Sequence, residues 1–220
     1  GDGINAGSAY DANGNIKRMQ QWGLKGLSSE QLDDLRYSYG PMDKTNKLQS
    51  VVDVHNDPQT KLGDFKASHL YPGGAKVLAS INSYTDYVYD ANGNMVKDRN
   101  KDLETYSGGD GIVYNHLNLP WQVRVKKDGS TEKGTITYIY DAAGNKLQKR
   151  VVEDAAPGPN NTTQQKAVTT SYLGGYVYEQ TSLGSSMGNS ELQFFSQEEG
   201  RVRPTRDADG QLNGYAYDYF

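Results

Sequence analysis

Tyr140-Asp141-Ala142-Ala143-Gly144-Asn145-Lys146-Leu147 follows directly on the alternating run Ile136-Thr137-Tyr138-Ile139, and the two pieces read as one β-hairpin. Alternation sets Tyr138 and Tyr140 on the same face, because successive side chains of a strand point to opposite sides. The turn then offers Asp, Gly and Asn, residues that cap or tolerate tight reversals. Leu147 opens the return strand.

The same phrase recurs. Tyr10-Asp11-Ala12-Asn13-Gly14-Asn15-Ile16 and Tyr89-Asp90-Ala91-Asn92-Gly93-Asn94-Met95 repeat it nearly letter for letter, the second behind another alternating run, Tyr84-Thr85-Asp86-Tyr87-Val88-Tyr89. A degenerate copy, Tyr114-Asn115-His116-Leu117-Asn118-Leu119-Pro120, lies between, so Asp90, Asn115 and Asp141 stand 25 and 26 residues apart. Weaker versions are Tyr37-Ser38-Tyr39 leading to Asn46-Lys47-Leu48, Asp207-Ala208-Asp209-Gly210-Gln211-Leu212, and the closing Tyr215-Ala216-Tyr217-Asp218-Tyr219. Self-similarity at a fixed period marks a repeat architecture. Residues 1–220 are therefore expected to form a single β-domain built from one unit, with insertions at about 55–80 and 154–167.

Asn13-Gly14, Asn92-Gly93 and Asp209-Gly210 match the pair that a type I′ hairpin turn favours, where both central residues need φ > 0. The preceding Asp is expected to accept hydrogen bonds from turn amides and fix the register. A lone two-stranded hairpin is marginal in water, so the units must stack and bury Tyr, Leu and Val between copies. The predicted fold is all-β: stacked antiparallel β-hairpins forming a coiled strip.

Composition agrees. Only 35% of residues are hydrophobic and the mean hydropathy is −0.80, values that suit a disordered chain, yet 17 Tyr, 2 Trp and 4 Phe demand burial and 25 Gly supply turns. Three segments interrupt the hairpins. Leu27–Leu35, with apolar residues at i, i+5 and i+8 behind a Ser start, predicts one short helical turn. Residues 157–165 and 184–190 read as polar loops.

With 23 Lys+Arg against 27 Asp+Glu and a net charge of −4, the chain lacks the basic footprint that nucleic acid or an anionic membrane surface requires. The absence of Cys removes disulfides, thiolate metal sites and Cys nucleophiles together. No apolar run reaches the length of a membrane span. Gly1 is preceded by no Met and followed by no leader-like segment, and the chain is expected to be a piece of something larger.

Tyr-Asp-x-x-Gly-Asn-(Ile/Leu/Met) at this spacing, with Tyr-Asn-x-Leu-Asn-Leu-Pro between copies, resembles the YD-repeat (Rhs, rearrangement hot spot) proteins. The matching residues are Tyr10, Asp11, Gly14 and Asn15; Tyr89, Asp90, Gly93 and Asn94; Tyr140, Asp141, Gly144 and Asn145; and Tyr114, Asn115, Leu117, Leu119 and Pro120. Thr170–Tyr176 and Leu192–Phe195 are similar to this family as it occurs in Bacteroidetes-type bacteria. The resemblance implies a strip of hairpins spiralling into a hollow β-shell, as in bacterial Rhs polymorphic toxins, insecticidal toxin-complex cocoons and teneurins. Such shells enclose a C-terminal toxin released by an aspartyl-protease-like core. No Asp-Pro-x-Gly-Trp motif is present, the one Asp-Pro being Asp57-Pro58, so neither protease nor toxin maps onto residues of this chain.

Other motifs yield to plainer readings. Gly184-Ser185-Ser186-Met187-Gly188 fits the nucleophile elbow with Ser186 as nucleophile, but that elbow needs a strand before it and a helix after it. The acidic turns offer oxygens for Ca²⁺, yet Asp11 and Asp90 have Gly at the fourth position and no bidentate Glu at the twelfth, unlike an EF-hand. His55, His69 and His116 are scattered without metal-ligand spacing. Arg124 and Lys126 share one strand face and read as solvated. Trp22, Trp121 and the run Tyr215-Tyr217-Tyr219 are candidates for stacking on sugar rings.

These readings combine into one expectation: a non-catalytic structural shell segment of a large secreted or cell-surface bacterial protein, enclosing or presenting a C-terminal effector. Its partners would be the remainder of its own polypeptide, secretion machinery and surface glycans, with no nucleic acid, membrane span, cofactor or metal. The alternative is a cell-surface adhesion or carbohydrate-binding module using Trp22, Trp121 and Tyr217.

Overall fold

Strands joined by tight turns account for most of the computed structural model, which describes residues 9–40, 45–55, 65, 67–68, 76–127, 131–157 and 163–219. All strand pairs are antiparallel. The chain divides into two compact units, one comprising Gly1–Glu104 with Gly108–Asp110 and the other Thr105–Ser107 with Gly111–Phe220.

In the first unit β1 (Arg18–Lys25), β2 (Ser28–Tyr39) and β3 (Leu48–Asp53) form a sheet in the order β1-β2-β3. A 3-10 turn at Leu78–Ser83 leads to the hairpin of β4 (Tyr87–Tyr89) and β5 (Met95–Asp98), and a second 3-10 turn covers Arg99–Lys101. Four successive residues of β2, Leu32 to Leu35, are buried, so both faces of this strand are covered. Leu32 and Leu35 form the apolar core with Val51, Val52 and Val96, and it also encloses Asp33, Asp34, Ser50, Asp86, Asp98 and Asn100.

The helical turn expected at Leu27–Leu35 is instead the start of β2. Leu27 is fully exposed beside Gly26 in the β1–β2 turn, while Leu32 and Leu35 point to opposite, covered faces. The spacing i, i+5, i+8 is what a strand buried on both sides permits and what a helix of 3.6 residues per turn does not align.

The second unit is one nine-stranded sheet. Its strands are β6 (Ile112–Tyr114), β7 (Pro120–Lys126), β8 (Glu132–Tyr140), β9 (Lys146–Pro157), β10 (Thr163–Leu173), β11 (Tyr176–Leu183), β12 (Ser186–Gln197), β13 (Gly200–Arg206) and β14 (Leu212–Tyr219). Their spatial order, β14 back to β6, is the order of the chain, so every neighbour is joined by a hairpin connection. Rows of apolar residues run across it, as where Val123, Ile136, Val151 and Val168 stand side by side.

Long strands replace the predicted loops. Residues 163–165 belong to β10, residues 158–162 lie outside the described residues, and 186–190 open β12. Pairing explains this: Gly184 at φ +57° makes the reversal with Ser185, and Ser186, Met187 and Ser190 face Leu183, Ser182 and Gln180 across the ladder. The backbone bonds of an inner strand do not depend on apolar side chains.

Candidate functional site

Each repeat turn is organised by one side chain at its first position. In the Asp141 turn the backbone amides of Ala143 and Asn145 donate to Oδ1 at 2.9 and 2.8 Å, and the Asn145 side-chain amide donates to Oδ2 at 2.8 Å. Gly144 N–H closes on the Asp141 carbonyl at 3.1 Å, and Asp141 N–H on the Asn145 carbonyl at 2.9 Å. The turns at Asp11 and Asp90 repeat all five bonds.

This is not the type I′ turn that Asn-Gly predicts. Only the glycine adopts φ > 0, at +82°, +87° and +86° for Gly14, Gly93 and Gly144. The arrangement is a type I turn followed by a left-handed glycine and a bulge. Tyr140 pairs with Lys146 but Ile139 pairs with Gln148, leaving Leu147 as the extra residue, and Val96 is skipped in the same way. An Asp carboxylate that caps amides two and four residues on requires right-handed residues between, so the cap overrides the Asn-Gly preference.

The degenerate copy keeps the geometry with different letters. Asn115 Oδ1 accepts from Leu117 and Leu119 N–H at 2.9 and 3.0 Å, and Asn118 takes the left-handed position at φ +56°. Asp207 caps Asp209 and Gln211 at 3.0 and 2.8 Å with Gly210 at φ +79°. That turn joins β13 to β14, on the edge of the sheet opposite the turns at Asn115 and Asp141, so it shares their geometry but not their phase.

Successive in-phase turns are tied through tyrosine. The Tyr39 hydroxyl donates to the Ile16 carbonyl at 3.0 Å, Tyr89 to Leu48 at 3.0 Å and Tyr140 to Pro120 at 2.9 Å. In each case the acceptor pairs with the tyrosine of the preceding turn: Ile16 with Tyr10, Leu48 with Tyr39, Pro120 with Tyr114. Asn15 also reaches Asn46 at 3.0 Å. The motif tyrosine thus serves as strand residue, packing surface and latch between hairpins. Its hydroxyl partner is invisible in one copy of the motif and becomes apparent only when copies are aligned in phase.

Electrostatics follow the same bonds. The Asn94 side-chain amide, with the backbone amides of Asn94, Asn92 and Gly93, holds the Asp90 carboxyl below its ordinary value, and Asn145 does the same for Asp141. These carboxylates are committed to the turns. Among the described residues no three His, Asp or Glu side chains cluster as metal ligands. His116 sits at the Asn115 turn, His55 follows β3, and His69 lies outside the described residues. Ser186 begins β12 with strands on both sides of its turn rather than a helix behind it.

The aromatic candidates are exposed but not assembled. Trp22 on β1 is 56% exposed, Trp121 on β7 38% and Tyr217 on β14 39%. Trp121 and Tyr217 share the nine-stranded sheet at a separation of seven strands. A different row is contiguous: Leu173, Tyr176, Phe195, Val202 and Tyr217 stand side by side across β10 to β14, with Tyr176 and Phe195 stacked at 5.2 Å. On the other face lies an open groove of about 440 Å³ lined by Tyr172, Val177, Glu179, Phe194, Arg201 and Arg203. Arg201 lies over the Phe194 ring, and both arginines contact Asp218, at 3.1 and 3.2 Å. Their guanidinium groups hold Asp218 below its ordinary pKa. Nothing in spacing alone ties Arg201 and Arg203 to Asp218 across the β13–β14 turn.

No protein-family model matches the chain. No curated protein matches it. Among solved structures the chain is similar to one in the "Crystal Structure of TcdB2-TccC3-Cdc42", with a TM-score of 0.39 and 18% identity, over 96% of this chain and 14% of that one. It thus spans about a seventh of that chain's length.

Proposed function

We propose that this chain is a structural wall segment of a larger secreted or cell-surface YD-repeat protein, enclosing or presenting a C-terminal effector. The observation that carries the reading is the repeated latch of capped turn and tyrosine hydroxyl: Tyr39, Tyr89 and Tyr140 each bind the preceding turn in the same way. Such a device adds one hairpin to the next indefinitely and commits the capping carboxylates of Asp11, Asp90 and Asp141 to construction. A meander in which every strand follows its neighbour extends the same way. The intact mass and terminal sequences of the natural gene product test this reading. A product much larger than 24.3 kDa with a separate C-terminal polypeptide agrees with it; a mature product of this segment alone contradicts it.

The row Leu173, Tyr176, Phe195, Val202 and Tyr217, exposed at Leu173, Tyr176 and Tyr217, favours a second reading, adhesion through glycan stacking. A glycan screen in which binding is lost in Tyr176→Ala would support it, and background binding throughout would reject it.

A further inference from the structure

Lys76 is the most enclosed cation described in the first unit: its side chain is 3% exposed, and that of Asp86 beside it is 0%. Its Nζ donates to the Val51 carbonyl at 2.7 Å, to Asp86 Oδ2 at 2.7 Å and to Asn100 Oδ1 at 2.6 Å. Asn100 is equally buried, and its Nδ2 donates to the same Asp86 Oδ2 at 3.0 Å and to the Tyr87 hydroxyl at 3.3 Å. Val51 N–H also donates to Asp86 Oδ2, at 2.8 Å, whereas Asp86 Oδ1 is buried with no hydrogen-bond partner. A buried amine, a buried carboxamide and a buried carboxyl group are therefore in mutual contact, sealed from water.

We propose that Lys76 and Asn100 become joined by an intramolecular isopeptide bond, with Asp86 as the proton carrier. The Lys76 nitrogen, once it has given a proton to Asp86 Oδ2, attacks Asn100 Cγ, the carbon of the amide whose oxygen it already contacts. A C–N bond forms from Nζ to Cγ, the Cγ–Nδ2 bond breaks, and Nδ2 leaves as ammonia. Of the two protons that Nζ sheds, one passes from Asp86 Oδ2 to the departing Nδ2, and the other stays on Asp86. The step needs no oxidant and no co-reactant, and it exchanges a buried ion pair for a neutral amide and a neutral carboxyl group.

Three features favour the reaction. Asp86 Oδ2 touches both the nucleophile and the leaving nitrogen, so one atom relays the proton across 2.7 and 3.0 Å. Burial pulls the Lys76 ammonium below its ordinary pKa, against the Asp86 contact that supports its charge, and so brings the free amine within reach. The three residues flank the β4–β5 hairpin, Lys76 before the first 3-10 turn, Asp86 just ahead of β4 and Asn100 behind β5, so the backbone fixes their approach. The bond would close a loop holding one repeat turn in a chain without cysteine, where no disulfide can do so.

Intact-mass spectrometry of the purified chain is the test, with peptide mapping of its digest. The bond predicts a mass about 17 Da below that of the sequence, the loss of one ammonia, and a branched peptide joining the Lys76 and Asn100 segments. Lys76→Met and Asp86→Ala should restore the full mass. Asn100→Asp should lose about 18 Da instead, because water replaces ammonia as the leaving group. A wild-type mass equal to that of the sequence, with Lys76 and Asn100 in separate unmodified peptides, overturns the proposal without reliance on any variant's folding.

Discussion

At Gly93 the backbone sits at φ +87°, and an added Cβ would meet nothing closer than Lys47 Cε at 3.9 Å, an ordinary contact. Substitution there is opposed by backbone conformation and not by crowding. Gly93→Val should cost about 1–3 kcal/mol, and Gly93→Asn distinctly less, since Asn tolerates the left-handed region. Asn118 holds that conformation in the degenerate turn. Thermal melts of the two variants check the ordering, and equal melting temperatures would place the positive φ elsewhere.

Asp90 and Asp141 give the turns a pH dependence of known sign. Their folded-state pKa values lie below the ordinary 3.8, held there first by Asn94 and Asn145. Their contribution is therefore complete above that ordinary value and is lost as pH falls through the depressed folded values. Buried Asp98, raised by desolvation, acts in the opposite sense. The difference between wild type and Asp141→Asn isolates the turn: the variant should show a shallower loss of melting temperature in acid. Asn at 141 also sets two amide groups against each other at position 145, so Asp141→Asn/Asn145→Leu, which copies Asn115 and Leu119, should melt higher than Asp141→Asn alone.

At the scale of the hairpin, the latch predicts a repeated effect. Tyr89→Phe and Tyr140→Phe each remove one hydroxyl bond to the preceding turn and should each cost about 0.5–1.5 kcal/mol. Leu48 and Pro120 open separate strands, β3 and β7, so the two losses should add. Denaturant melts of both single variants and the double check this. The strands flanking the Asp-capped turns, the capping aspartates and those turn positions were legible in the sequence, because a period of two and an Asp-x-x-Gly spacing act within a few residues, whereas the strands at 163–165 and 186–190 read as polar loops. Turn type was not, since Asn-Gly favours one conformation locally and the Asp cap enforces another. Leu27–Leu35 misled because burial on both faces of β2 is a property of its neighbours. The Asp207 turn was read correctly as a turn, but its edge of the sheet depends on how many strands precede it.

Across the chain, the visible repeat shows how hairpins succeed one another but not which distant side chains meet. Lys76 and Asn100 belong to no motif, Asp86 stands unremarked in the run before Tyr89, and only tertiary packing brings the three together. The row from Leu173 to Tyr217 is likewise a consequence of register across five strands. β14 pairs only with β13 among the described strands and carries Tyr215, Tyr217 and Tyr219 along it. An edge of this kind is a template for a further strand.

The most direct test of the proposed wall is protease protection in the natural product. That product, purified under native conditions, is treated with a nonspecific protease, and the polypeptide that the proposal places C-terminal to the hairpins is followed with time. The wall predicts that this polypeptide survives while the hairpins stay folded and is degraded once Gly93→Val and Gly144→Val loosen them. Degradation at the rate of the same polypeptide expressed alone, with the hairpins intact, would contradict it.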